Sequence, residues 1–217
     1  MTNILRKEMK LSASPLTYIF ILFGLMFFIP GYPILCGAFF VTLGLFHSFQ
    51  YAREARDLEF SSLLPIDKAT IVKGKYLFVI FIELCGFIIM LMATLIRMTA
   101  LANSTIYREN ALMNANLFAL GAALIAFGIF NTVFLGGFFK TAYNLGKPFI
   151  TYIIAVFFFI GLAEALHYFP GLEIVNSFGF DNLGFQIIML LVGLGLFTLM
   201  TFLSCKGSCM NLERIDL

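Results

Sequence analysis

Charge is what this sequence has least of. Lys and Arg number 14 and Asp and Glu 12, together 12% of 217 residues, against roughly 25% in a soluble domain. The 28 Phe alone outnumber all charged residues. Such a chain cannot clothe a water-facing surface, and no nucleic-acid partner is expected of it.

Nucleotide-binding chemistry is missing as well. No GxxxxGK[ST] loop occurs, and the nearest strings, Lys73-Gly74-Lys75 and Gly146-Lys147-Pro148, lack the glycine spacing and the metal-holding hydroxyl. The chain is expected to hydrolyse no ATP, to be no enzyme and to hold no cofactor of its own. Histidine is scarce: His47 and His167 sit in different apolar runs, no HExxH is present, and an intramembrane metallohydrolase is excluded. Of the four cysteines, Cys36 and Cys85 fall inside apolar runs and Cys205 and Cys209 in the tail. No disulfide framework is expected from that placement, and CKGSC without a second pair or a nearby His reads as two reduced thiols. No internal repeat of the kind that marks many secondary transporters stands out.

What is present is apolar length. A helix needs about 20 mainly apolar residues to cross the ~30 Å hydrocarbon core, and six candidate runs occur, at 12–29, 34–50, 76–98, 115–138, 148–167 and 183–203. The first is expected to be retained rather than cleaved, because it ends in Phe27-Phe28-Ile29-Pro30 with no small-residue cleavage point. The basic residues fix an orientation. Twelve of the fourteen Lys and Arg fall in the amino terminus, the second and fourth connections and the tail; Arg97, at the far end of the third run, and Arg108, beyond it, are the other two. Positive charge stays inside during insertion, so both termini are expected in the cytoplasm, which requires an even number of spans. Residues 1–11 read as an interfacial segment, with Ile4, Leu5 and Met9 toward lipid and Arg6, Lys7 and Lys10 toward headgroups.

Two polar residues lie deep in these runs. Glu83 sits seven residues past Tyr76, about 10 Å into the third run, and a charge at mid-bilayer costs about 2.5 to 3.5 kcal/mol. It either lines a cargo path as a cavity-wall group or is hydrogen-bonded between helices. Asn131, in the fourth run, is placed to bond across a helix contact. Gly37 and Gly44, and Gly121 and Gly128, are spaced to let a second backbone approach one helix face. Glu164 and His167 share a face near the outer end of the fifth run.

One dense polar interruption remains, Tyr51 to Tyr76, reading YAREARDLEFSSLLPIDKATIVKGKY. A mixed-charge helix is expected to Leu64, then a break at Pro65-Ile66, a capping Asp67, a helix from Lys68, and a bend at Gly74. The break would hold Leu63, Leu64 and Ile66 in water, a design suited to a partner's groove.

An acidic residue followed by Leu-Pro-Ile, a capping residue and Ile-Val-x-Gly-Lys-Tyr, here Glu59 to Tyr76, resembles the permease subunits of ABC-2 transporters, particularly small bacterial exporters of phenol-soluble modulins and lantibiotics. The resemblance covers the whole chain through its six-run, both-ends-inside layout. It implies an all-α, polytopic, exporter-like (type V) fold: one transmembrane domain over 1–217 with an interfacial segment 1–11, a cytoplasmic coupling loop 51–76, a second cytoplasmic loop 139–147 and an exterior loop 168–182. It implies a separate ABC ATPase subunit that binds ATP and Mg, and a second permease chain in a homodimeric 2+2 assembly. The expected setting is the lipid of a bacterial cell membrane, and the expected cargo an amphipathic peptide. By the same resemblance Asp57, Glu59, Leu63, Leu64, Pro65 and Ile66 would contact the ATPase, with Lys140 as a secondary contact and Glu83 and Asn131 on the cargo path. Two other readings stay open: an ion-coupled secondary transporter working through Glu83, and a membrane immunity protein that sequesters a peptide.

Overall fold

A computed structural model describes residues 2–63, 65–141 and 144–215, with side chains from Leu5 onward. Leu64 and the side chain of Ile4 lie outside the described residues. Every regular element among those described is helical.

Helix α1, Thr2–Lys7, runs into a π-helical turn, Glu8–Ser12. The chain then turns and starts α2, Pro15–Ile21, which tightens into a 3-10 stretch, Leu22–Phe28. Ser14 makes the start sharp: its hydroxyl accepts the Leu16 N–H at 3.3 Å, and Pro15 occupies a first-turn position that needs no N–H partner. The arm Leu5–Ser12 and the stretch Pro15–Phe28 meet at 106°.

Next come α3, Cys36–Glu54, the short α4, Asp57–Ser62, and the long α5, Lys68–Thr99. A four-residue α6, Thr105–Arg108, precedes α7, Leu117–Ile129, which passes through a π-helical segment, Phe130–Leu135, into α8, Gly136–Phe138. Helices α9, Gly146–Ala165, and α10, Leu183–Glu213, complete the chain.

Helices occupy all six expected runs, but they are not equivalent. Lys68–Thr99, Leu117–Phe138, Gly146–Tyr168 and Leu183–Glu213 are long and apolar enough to cross a membrane; the bent pair at the amino terminus makes a fifth if it counts as one span. Helix α3, over the second run, has the length, but His47, Gln50 and Arg53 dilute its apolar content. Neighbours wall it in instead: Thr42, Leu45 and Ser48 are buried.

The glycines act as the sequence spacing implies. A Cβ on Gly44 would lie 2.5 Å from Phe20 Cβ, and one on Gly37 2.8 Å from the Phe23 carbonyl, so α3 meets the first span at near backbone contact. A Cβ on Gly121 would lie 2.7 Å from the Met189 carbonyl, and a Cβ on Gly193 would run into the Gly121 backbone, so α7 and α10 cross where both lack side chains. Aromatic rings fill the interior between α3, α7 and α9: Phe134 stacks on Phe130 at 4.8 Å and meets Phe49 edge-on at 5.4 Å. Phe157 and Phe158 face outward, and Phe138 and Phe139 are buried in the core.

Several local expectations are corrected. Helix α5 begins at Lys68 as the sequence indicates, but Asp67 caps through its backbone carbonyl, not its side chain. No bend occurs at Gly74; the 32-residue helix continues unbroken, about 48 Å at 1.5 Å per residue. Arg97 is not in an outer loop. It is buried near the end of α5, donating to the Phe27 carbonyl at 2.8 Å and to Asn114 Oδ1 at 2.6 Å, with Tyr107 beneath it at 4.0 Å. Glu164 and His167 do not pair with each other: Glu164 accepts the Met113 N–H, and His167 lies 3.2 Å from the Ala111 carbonyl, so both hold the loop before α7.

Both ends of the chain gather beside the 51–76 interruption. Lys7 reaches Asp57 at 2.8 Å, and Lys68 donates to the Ile215 carbonyl at 2.6 Å.

Candidate docking elbow and its buried anchor

The mixed-charge helix expected through Leu64 is broken at Arg56, whose φ of 51° lies in the left-handed region. For a residue with a Cβ that conformation costs about 1 to 2 kcal/mol, so something else must hold it. The break rotates α4 so that its two faces part company. Asp57 and Ser61 turn inward and are buried, while Phe60 and Leu63 turn outward, 57% and 85% exposed. Pro65 and Ile66 continue the exposed surface past the end of α4. Phe60 was not among the contact residues read from the sequence, although its i, i+3 relation to Leu63 was there to find.

The inward face meets a second polar surface, built from the amino-terminal arm and the start of α5. Lys75, on the first turns of α5, is 3% exposed and donates to Glu8 Oε2 at 2.5 Å, Asp57 Oδ2 at 2.6 Å and Ser12 Oγ at 2.9 Å. Lys7 lies 2.8 Å from Asp57 Oδ1 and 3.1 Å from Glu8 Oε1, and donates to Ser61 Oγ at 2.6 Å. Ser12 donates to Asp57 Oδ2 at 3.2 Å. Two ammonium groups and two carboxylates thus interlock three segments: the amino-terminal arm, α4 and α5. Burial alone would push the Asp57 carboxyl up, but the adjacent Lys75 and Lys7 ammonium groups outweigh it and hold the carboxyl below the ordinary carboxylate range.

This geometry corrects two readings. Asp57 is not an exposed contact: both its oxygens are engaged inside the molecule. On the amino-terminal arm, Leu5 and Met9 are part-buried against the protein core, and Lys7 points into the ion cluster instead of toward headgroups. Among the described elbow residues, Leu63, Pro65 and Ile66 are exposed. Glu59 is half-exposed, with Arg56 Nη1 3.8 Å away. Lys140 is exposed but lies along a separate groove with Gly136, Gly207 and Asn211; Phe138 shares a crevice with Asp57 and Glu59.

Glu83 and Asn131 come together, though not on a cavity. Glu83 is 1% exposed and accepts the Asn131 Nδ2 amide at 3.0 Å; the same amide donates to Thr201 on α10 at 3.0 Å. Ser204 donates to the Asn131 carbonyl at 2.6 Å, and the Tyr76 hydroxyl lies 2.7 Å from Ser204 Oγ and 2.9 Å from Ser208 Oγ. The π-helical segment of α7 presents Asn131 to both α5 and α10, and the three helices are tied at mid-depth. Of the two readings of Glu83, hydrogen bonding between helices is the one this geometry supports.

Several long apolar helices packed through buried glycine and polar contacts define a multi-pass membrane protein. A family model described as "ABC-2 family transporter protein" matches residues 3–207. The chain belongs to the ABC-2 transporter family, and is a membrane permease of an ABC transporter that works with a partner ATPase subunit. No curated protein and no solved structure gives a significant match.

Proposed function

We propose that this chain is the energy-receiving permease subunit of an ATP-driven exporter in a bacterial cell membrane. In this reading it crosses the bilayer six times with both termini in the cytoplasm, and it pairs with a second copy above two ATPase subunits. The observation that carries the reading is the elbow: an exposed apolar face, Phe60, Leu63 and Ile66, on a short helix whose opposite face is locked by buried ions to α5 and to the amino-terminal arm. Apolar surface held rigidly in water is suited to a partner's groove.

The chain supplies no hydrolytic chemistry; ATP and Mg bind in the partner. When the ATPases close, the elbow moves, and the Lys75 cluster makes α5 and the arm move with it. The arm joins α2 at a capped, near-perpendicular turn, so displacement of the elbow reaches the first and third spans together. The apolar outer surfaces of α9 and α10 and the scarcity of charge suit an amphipathic peptide as cargo. The ion-coupled alternative would work through Glu83, which is held between α5 and α7 and lines neither groove beside α10.

Co-expression with the ATPase subunit tests the proposal. The intact permease is expected to retain the ATPase through purification, and Leu63→Asp with Ile66→Asp to lose it while the permease stays folded in the membrane. Full retention by the double variant would overturn the proposal.

A further inference from the structure

Helices α5 and α10 run antiparallel, registered by Lys68 on the Ile215 carbonyl and Tyr76 on Ser204 and Ser208. Beside these bonds they diverge and leave a groove of about 360 Å³, walled by Leu77 and Ile80 on one side and Phe197, Thr201 and Phe202 on the other. Lys73 stands at the end nearest the elbow and is exposed. Among the described residues no carboxylate lies within ion-pair distance of it, although Lys7 and Lys75 nearby are fully engaged. From Lys73 to Ile80 the groove extends about 10 Å along α5, into the apolar part of the helix.

An apolar trough between the two helices, with a cation at its interfacial end that has no carboxylate partner among the described residues, has the polarity of a single lipid molecule: chain in the trough, anionic headgroup on the ammonium. We propose that this groove is a binding site for one anionic phospholipid of the leaflet on the elbow side. The charge decides the class, because a zwitterionic headgroup brings its own cation to Lys73 and gains nothing there, whereas a phosphate ester with no other charge supplies the missing counter-ion. The groove opens beside Tyr76, one residue from the buried Lys75 cluster, so the lipid would brace the α5 segment that the elbow moves. This inference requires only that α5 and α10 are embedded in a bilayer; it does not depend on transport or on the ATPase.

Native mass spectrometry of the full chain in neutral detergent tests it, with phosphatidylglycerol and phosphatidylcholine of matched acyl chains offered at equal concentration. Phosphatidylglycerol is expected to be retained about fivefold better, the effect of one interfacial cation. Lys73→Gln is expected to bring that ratio to about one. Leu77→Trp, which fills the trough, is expected to reduce retention of both lipids, and Lys147→Gln, an exposed cation at the same end outside the groove, to leave the preference intact. Equal retention of the two lipids by the intact chain would overturn the site, as would an unchanged preference in Lys73→Gln or an equal loss in Lys147→Gln. None of these outcomes bears on ATPase binding at the elbow, so failure of this site and failure of the exporter reading are separable.

Discussion

Lys75 Nζ lies 2.6 Å from Asp57 Oδ2, joining the buried face of α4 to the first turns of α5. Because Glu8 completes the same cluster from the amino-terminal arm, buried ions tie three segments together. In the proposed mechanism this makes the elbow a lever with two outputs. An unanchored loop with the same exposed residues would bind a partner and transmit little.

Removing Lys75 leaves two buried carboxylates facing a single remaining ammonium. Breaking a buried ion pair from one side costs about 3 to 5 kcal/mol, so Lys75→Met is expected to lower the denaturation midpoint markedly in detergent. Glu8→Gln together with Lys75→Met, which removes one charge of each sign, is expected to recover part of the loss. A double variant no better than the single one would show that the charges do not act as a unit.

The Asp57 carboxyl is held below its ordinary range, so the folded state binds its proton less readily than the unfolded chain does. The stability it contributes is therefore complete above the ordinary carboxylate range and disappears as pH falls through the lower folded value. Amide protection in the Glu8–Ser12 turn, taken relative to the intrinsic exchange rate at each pH, is expected to be constant through neutral and mildly acidic pH and to fall only below the ordinary carboxylate range. In Asp57→Asn that acid step should shrink.

Glu83 accepts the Asn131 amide at mid-depth, and a glutamine there keeps the acceptor and adds a donor that can face Asn131 Oδ1, which has no partner. Glu83→Gln is expected to retain stability and ATP-driven transport, whereas Glu83→Ala leaves one of the two amide N–H groups unpaired, with only the bond to Thr201 remaining, and costs about 1 to 3 kcal/mol. An ion-coupled mechanism predicts the reverse ranking for Gln, with transport abolished by loss of the titratable group. The thermal midpoint and the transport rate of the two variants decide between them.

The α7–α10 crossing depends on Gly193 meeting Gly121 without side chains. Gly193→Ala forces the backbones apart, and overpacking of this kind costs typically about 1 to 3 kcal/mol. Gly195→Ala, two residues on, has open space around it and is expected to be neutral. Comparing their unfolding midpoints checks whether the crossing is as close as described.

The apolar runs and the glycine contacts were legible in the sequence because length and spacing alone produce them; Gly44 and Gly121 stand at backbone contacts as their spacing implied. The exposed part of the elbow was legible too, since Leu63 and Ile66 flank a proline in a charged stretch. The anchor was not. Lys75 read as ordinary cytoplasmic positive charge, Lys7 as a residue facing headgroups and Asp57 as an ATPase contact, because nothing local distinguishes a solvated lysine from one whose partners are Glu8 and Asp57. Arg97 failed for the same reason: its partners, the Phe27 carbonyl and Asn114, come from other parts of the chain. The left-handed turn at Arg56 has no glycine or asparagine to announce it, and it is this turn that sorts α4 into a buried and an exposed face.

Site-specific photocrosslinking in cells that co-express the ATPase checks where the partner docks, with the crosslinker placed at Leu63 on the elbow and, separately, at Ile106, an exposed apolar residue on α6, beyond the far end of α5. ATPase adducts are expected from position 63 and none from position 106. Adducts from 106, or none from 63 while ATP-driven transport continues, would contradict docking at the elbow.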